Sequence, residues 1–408
     1  DIQSEQLPFL KRVIVMSETE YPGIYTWGEF EAFASKITDE ELNERLSLLH
    51  VDDVINIQYT SGTTGFPKGV MLTHMNVVNN GQIIGDFMKL TPQDRLCISV
   101  SFFHCFGFLL VTLAAVTHGT TMVLLEQFDP KRVLQAVQDE KCTGLHGVPT
   151  MFIAELNHPD YKKYDTSSLR TGIMAGSPCP IEVMKKVIDD MGASEITICY
   201  GQTESSPVIT QTKSDDAIEK RVATVGKPHP HVEVKIIDPV TNEELPIGTP
   251  GELCTRGYHI MKGYYKNEAA THAAIDNEGW LHTGDIAILD SEGYIEITGR
   301  IKDMVIRGGE NVYPREIEEF LYQHPSIQDV QVVGVPDPKY GEELMAWIIA
   351  KDGVRLSAEE IRAYCKGKIS HHKIPRYIEF TESYPMTASG KIQKYLLREM
   401  SNDKIPTT

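Results

Sequence analysis

Val54-Ile55-Asn56-Ile57-Gln58-Tyr59 carries apolar side chains that alternate as in a half-buried strand, and a helix-compatible stretch runs from about Asn76 to Met88. Residues 1–50 are weakly patterned, with Glu29 to Leu49 compatible with a helix that has an acidic, polar face. Beyond Met88 the period switches repeatedly between two and about 3.6 residues. Arg95–Val100 reads as a strand, Gly107–Val116 as a buried helix and Thr120–Leu125 as a strand. Pro130–Glu140 reads as a helix with proline in its first turn, and Cys142–Val148 as another strand. Ile181, Met184, Val187, Ile188 and Met191 form a helical stripe, followed by a short strand at Ile196–Cys199. Such alternation predicts an α/β fold of parallel, helix-covered sheets, with ligands at the C-terminal ends of the strands.

Near Ala223 the texture changes. Val232–Asp238, Glu252–Arg256 and Tyr294–Thr298 are short strands separated by turns, a small and mostly antiparallel β region. From Asp303 it changes again. Pro314 opens a helix with Ile317, Phe320 and Leu321 on one face, and strands follow at Val330–Val335 and Leu344–Ala350. A second helix begins at Ser357, where Glu360 completes a capping box. The predicted organisation is an N-terminal domain over 1–301, its β region at about 223–301, and a smaller α/β domain over 302–408.

The chain has 408 residues, enough for more than one core. A net charge of −18 argues against nucleic acid as a partner, so a polyphosphate substrate needs a locally positive site. The seven cysteines are scattered and never form a Cys-x-x-Cys pair, which points to a reducing compartment and no structural zinc. The longest apolar stretch, Phe106–Val116, is too short to span a bilayer, and the start does not resemble a signal peptide. A cytoplasmic location is expected.

Candidate chemistry begins at Tyr59-Thr60-Ser61-Gly62-Thr63-Thr64-Gly65-Phe66-Pro67-Lys68-Gly69, between the first strand and the Asn76 helix. Glycines let backbone approach an anion, hydroxyls and amides donate to it, and Lys68 adds a mobile charge. The nucleotide-triphosphatase loop is excluded, because Lys68 is followed by glycine rather than Ser or Thr. Cys199-Tyr200-Gly201-Gln202-Thr203-Glu204 closes a strand and offers an aromatic for a base, a hydroxyl for phosphate and a carboxylate for Mg²⁺. Gly176-Ser177-Pro178 and Thr283-Gly284-Asp285 are small turns, and a carboxylate after such a turn can accept from both hydroxyls of a ribose. On their own these strings are also compatible with ordinary turns and strand ends.

Together, and in this order, they resemble the adenylate-forming enzymes: acyl-CoA synthetases, luciferases and peptide-synthetase adenylation domains. The resemblance extends from Tyr59 to Lys391. It implies that Thr60, Ser61, Gly62, Thr63, Thr64, Gly65 and Lys68 hold the β- and γ-phosphates of ATP. Gly176, Ser177 and Pro178 would flank the adenine, with Tyr200, Gly201, Gln202 and Thr203 beside the nucleotide. Asp285 and Arg300 would bind the ribose or α-phosphate, and Glu204 would hold Mg²⁺. It places His104, Phe106 and Val148 at the acyl pocket, His104 positioning the carboxylate, since an ionised acid needs no base. Lys302 matches the family's hinge, and Gly308 and Gly309 its pantetheine channel. Pro385-Met-Thr387-Ala-Ser389-Gly390-Lys391-Ile392 matches the string around its catalytic lysine, a cation able to bridge carboxylate and α-phosphate. Thr203, Glu204 and Lys391 are thus the catalytic set.

Val54-Ile-Asn-Ile-Gln-Tyr, Gly367-Lys-Ile-Ser-His-His-Lys-Ile-Pro375 and the ending Thr387–Lys394 look most like medium-chain fatty-acyl-CoA ligases. The implied substrates are a fatty acid, ATP and CoA, and a homodimer is compatible with the resemblance. In this family a substantial stretch precedes the phosphate loop, so the chain is expected to lack the start of its large domain. An aryl- or coumarate-type ligase shares every motif, a carrier-loading adenylation domain would adjoin a carrier segment, and a non-catalytic nucleotide-binding scaffold is the rival from another class.

Overall fold

The computed structural model describes residues 4–60, 67–177, 179–387 and 391–405. It divides into two compact units, Asp1–Asp53 and Val54–Thr408. In the first, strands Ile14–Val15 and Tyr25–Thr26 pair in parallel, and helix Trp27–Ala32 follows. The continuous helix expected from Glu29 is interrupted. Thr38 adopts an extended backbone and accepts from the Glu41 amide while Glu41 reaches back, a capping box that starts the helix Asp39–Ser47. Thr26 is the one buried residue among the described residues of this unit.

The second unit is built on a seven-stranded sheet in the order 227–228, 208–211, 195–201, 171–174, 144–147, 95–98, 121–124. From Glu195–Gly201 to Thr121–Leu124 neighbouring strands are parallel; the other two pair antiparallel at one edge. Successive side chains feed opposite cores. Leu96 and Ile98 join Phe106, Leu110 and Val148, while Cys97 joins Val133, Leu145 and Met184 on the other face. The helix Pro130–Glu140 lies where the 3.6-residue pattern predicts it, with Asp129 capping the Arg132 amide and proline at its first turn. Three C-terminal strand ends carry candidate segments: Val148 after Gly147, Gly176 after Met174 and Gln202–Glu204 after Gly201.

Three local departures from the sequence reading have clear causes. The phosphate-loop motif does not run from strand into helix. Lys68–Thr73 is a strand of its own, paired antiparallel with Val54–Thr60 from Thr60↔Lys68 onward, and the helix His74–Phe87 starts after it. Lys68 and Gly69 are poor strand formers, yet the strand forms because Val70 and Leu72 are fully buried and Gly263–Tyr264 pairs on its other side. The buried helix expected at Gly107–Val116 is a π-helix over Phe106–Thr112 that continues as α-helix Leu113–His118. The Thr112 hydroxyl donates to the Gly107 carbonyl at 2.8 Å, and Gly107 packs so closely that a Cβ would lie 2.5 Å from the Ser101 carbonyl oxygen. Finally, Asp285 sits inside a strand, Leu281–Leu289, not in a free turn. Gly284 supplies a left-handed backbone at φ +72° and the pairing slips beyond Ile286.

That strand belongs to a four-stranded antiparallel sheet in the order 232–237, 251–257, 281–289, 295–300. The next strand, Val305–Arg307, opens a five-stranded sheet with Glu310–Val312, Gly341–Ala350, Ile327–Asp337 and Tyr377–Phe380. It packs on helices Pro314–Tyr322 and Ala358–Cys365 through its own hydrophobic cluster, and Ser357 and Glu360 form the expected capping box. No helix among the described residues is long and apolar enough to cross a membrane.

Candidate active site

Three short constellations meet around the C-terminal ends of the parallel strands. The first joins Tyr200, Asp285 and Arg300. Strands Leu281–Leu289 and Ile295–Arg300 pair Asp285 directly with Arg300. Arg300 Nε donates to Asp285 Oδ1 at 2.8 Å, and the Tyr200 hydroxyl donates to Oδ2 at 2.7 Å. The Asp285 side chain is 5% exposed. Burial, and next the Asp285 charge, push the Tyr200 hydroxyl well above its usual pKa, so it remains a donor. The carboxylate is held in one orientation by two donors, and its remaining lone pairs can take a vicinal diol.

The second constellation ties the foot of the phosphate-loop motif to Glu204. Lys68 Nζ donates to the Tyr264 hydroxyl at 3.2 Å and lies 4.2 Å from that ring's centre. The same hydroxyl donates to Glu204 Oε1 at 2.7 Å. The Met261 amide donates to the Glu204 carbonyl at 2.9 Å, so the segment leading into Tyr264 is bound to Glu204 by backbone as well. Tyr264 was not among the residues that the sequence singles out. The run Tyr258–Tyr265 is visible there, but nothing in it tells which tyrosine faces inward.

The third is centred on Lys391. Its backbone is fixed by the Thr387 hydroxyl, which accepts from the Lys391 amide at 3.1 Å, and by the bridge between Met386 and Ile392. The side chain passes Gly176, where a Cβ would lie 3.4 Å from Lys391 Cε, 3.1 Å from Val148 Cγ1 and 4.0 Å from Phe106 Cδ1. Gly176 has φ +90°, a backbone that only glycine adopts without strain. Burial lowers the Lys391 pKa; Arg300 acts in the same sense, and Asp285 and Glu204 oppose it. His104 is close enough for Lys391 to contribute to its depression, to about 4, of which burial is the larger cause. The His104 Nδ1 accepts from the Phe106 amide at 3.1 Å, which places the ring's proton on Nε2. A neutral ring with one fixed donor suits holding a carboxylate better than removing a proton. Thr203 is buried and its hydroxyl donates to Cys105 Sγ at 3.5 Å.

The remaining candidates divide cleanly. Gly201 is required by packing, since a Cβ would fall 1.8 Å from the Pro207 carbonyl oxygen. Gln202 caps the turn Thr203–Ser205. The Lys302 carbonyl accepts from Arg398, whose Nη2 also pairs with Asp303 at 3.3 Å. Gly308 and Gly309, with φ +60° and +89°, turn the hairpin Val305–Val312, whose bonds run to Tyr340, Glu342, Glu343, His371 and His372 rather than to Lys391. Ser61, Gly62, Thr63, Thr64 and Gly65 lie outside the described residues, as do Pro178 and Ala388–Gly390.

A helix-covered parallel sheet, an antiparallel appendage carrying a fixed carboxylate and a following α/β sheet that delivers a lysine define an adenylate-forming enzyme. The chain belongs to the AMP-binding enzyme family, whose model matches residues 5–265, with the AMP-binding enzyme C-terminal domain matching 316–391. It is an acyl-CoA synthetase-type enzyme, an AMP-forming acid–thiol ligase. Among its relatives is the putative acyl-CoA synthetase YngI of Bacillus subtilis, 63% identical over 98% of this chain and 72% of that protein. The mitochondrial medium-chain acyl-CoA ligase ACSF2 of Danio rerio is 46% identical over 99% of this chain and 67% of its own length. ATP-bound MatB from Rhodopseudomonas palustris superposes with a TM-score of 0.81 at 32% identity, covering 87% of this chain and 70% of MatB. The anthranilate CoA ligase AuaEII, solved with anthranoyl-AMP, gives the same score at 30% identity over 87% and 69% of the two chains.

Proposed function

We propose that the chain activates a medium-chain fatty acid as its acyl-adenylate and transfers the acyl group to CoA. The observation that carries this reading is the burial of Lys391 beside Gly176, within electrostatic reach of Glu204 and Asp285. In the first step a carboxylate oxygen attacks the α-phosphorus of ATP, and the bond to the β-phosphate oxygen breaks to release pyrophosphate. Two anions must approach, and Lys391 is the cation placed to hold them together. Asp285, oriented by Tyr200 and Arg300, takes the ribose hydroxyls, and His104 donates from Nε2 to the acid. Lys68 and the Thr60–Gly65 motif take the β- and γ-phosphates, with Gly176, Ser177 and Pro178 at the adenine.

Mg²⁺ fits at Glu204. A single carboxylate fixed through Oε1 by Tyr264 matches an ion that takes few protein ligands and completes its shell with phosphate oxygens and water. When bound it neutralises charge on the polyphosphate. Tyr264 then acts as a positioning residue. Tyr264→Phe removes a hydrogen bond to a charged group, and the Mg²⁺ concentration giving half-maximal pyrophosphate exchange is expected to rise about tenfold. An unchanged Mg²⁺ dependence would remove Tyr264 from this role.

In the second step the CoA sulfur attacks the acyl carbon, AMP leaves with the bonding pair, and the thiol proton passes to solvent. The domain over 302–408 turns about Lys302, withdrawing Lys391 and bringing the Gly308–Gly309 hairpin to the pantetheine. The medium-chain preference draws on the relatives named medium-chain acyl-CoA ligases. A panel of straight-chain acids, benzoates and cinnamates, assayed for thioester with CoA, tests it. Turnover is expected to peak at intermediate straight chains; turnover confined to the aromatic acids would replace this reading with an aryl-CoA ligase.

A further inference from the structure

Next to the Gly284 turn three side chains of metal-ligating type converge. Glu252 and Cys254 are on strand Gly251–Gly257, and Cys254 is the direct cross-strand partner of His282. His282 Nδ1 lies 3.1 Å from Glu252 Oε2 and 3.6 Å from Cys254 Sγ, and the three ligand atoms fall within 4.8 Å of one another. A tetrahedral zinc-type centre, with its usual bond lengths, sets nitrogen–oxygen and nitrogen–sulfur separations of about 3.3 and 3.6 Å. Both separations from His282 therefore stand near those of a first coordination shell.

Their surroundings also suit a cation. Glu252 and Cys254 are buried, and His282 is 26% exposed, which leaves a path for an ion and a water as fourth ligand. The far ring nitrogen, Nε2, faces Asp276 Oδ2 at 3.9 Å, and Asp276 is itself anchored through Oδ1 by the amides of Glu278 and Trp280. A carboxylate on the side of the distal nitrogen can orient a metal-binding histidine, and here it stands just beyond hydrogen-bond distance. A glutamate–histidine pair has no need of a thiol at its side; a soft cation does.

We propose that Glu252, Cys254 and His282 form a binding site for a soft divalent cation of the zinc class. Binding releases the Cys254 proton to solvent and gives the sulfur lone pair to the ion; the proton that His282 Nδ1 directs at Glu252 is given up, and the neutral ring carries its single proton on Nε2, taken from solvent, and coordinates through Nδ1. The site shares no residue with the Glu204 site and differs from it in chemistry, because Mg²⁺ avoids thiolate and imidazole ligands. It is coupled to the turn beside it: Glu252 Oε1 accepts from the Gly284 amide at 3.0 Å, and Asp285 is the next residue.

The test uses the whole chain, stripped with chelator and titrated with Zn²⁺, and with Cd²⁺ as a probe whose charge-transfer absorption reports a thiolate ligand. One equivalent of Zn²⁺ is expected, undisplaced by excess Mg²⁺, with a thiolate band on Cd²⁺ addition and slower amide hydrogen exchange across residues 281–285. Cys254→Ser should abolish the band. Both it and His282→Asn should weaken Zn²⁺ binding by more than about tenfold, the loss that removal of even an outer partner produces. His282→Asn, with Cys254 intact, carries the test if the serine variant does not fold. Failure of the wild-type chain to take up stoichiometric Zn²⁺, or equal uptake by the variants, overturns the site.

Discussion

Lys391→Ala is expected to cut carboxylate-dependent pyrophosphate exchange by about two to three orders of magnitude, the loss typical of removing a preorganised charge from a transition state. Thioester formation from supplied acyl-adenylate should largely survive. The asymmetry follows from where the side chain lies. Its stem passes Gly176, and its ammonium feels the charges of Glu204 and Asp285, the groups assigned to the nucleotide. None of these contacts bears on a thiol attacking an acyl carbon. Comparable loss of both half-reactions would falsify the swinging-domain assignment, because a lysine that withdraws after adenylation cannot be needed later.

Asp285→Asn is the second large effect. The substitution keeps size and removes the charge, together with one of the two bonds the carboxylate accepts from Tyr200 and Arg300. Hydrogen bonds to a charged group contribute about 1.5–3 kcal/mol. Loss of about 2 kcal/mol weakens ATP and AMP binding about thirtyfold. Calorimetric titration with either nucleotide reads this directly. If affinity held while turnover at saturating ATP collapsed, Asp285 would belong to the chemistry and not to the ribose.

What was legible in the chain was local. Pro130 with Asp129, and Ser357 with Glu360, announce helix starts through groups three residues apart, and both helices form there. The strings holding Tyr200, Glu204, Asp285 and Lys391 were readable because each packs its chemistry into a few consecutive residues. What escaped was long-range. Lys68 and Tyr264 are 196 residues apart, and nothing near either position announces the other. The strand Lys68–Thr73 is stabilised by partners on both sides, Val54–Thr60 and Gly263–Tyr264, and its own residues argue weakly for it. The left-handed Gly284 looked like the whole of a turn, because the pairing of Asp285 with Arg300 is a property of the sheet. The Cys254–His282 contact was hidden for the same reason, the partners being 28 positions apart.

Gly176 bears on how this scaffold can diversify. Its φ of +90° penalises any side chain, and the first carbon of one would crowd Val148 and touch the stem of Lys391. A mutation there damages the adenylation step before it can reshape the cavity for the acid. The neighbouring positions carry no such penalty: Phe106 opens a π-helix, whose register can shift by a residue, and Val148 has an ordinary extended backbone. Under the proposed function, a changed acid preference is therefore expected from substitutions at Phe106 and Val148 and not from position 176.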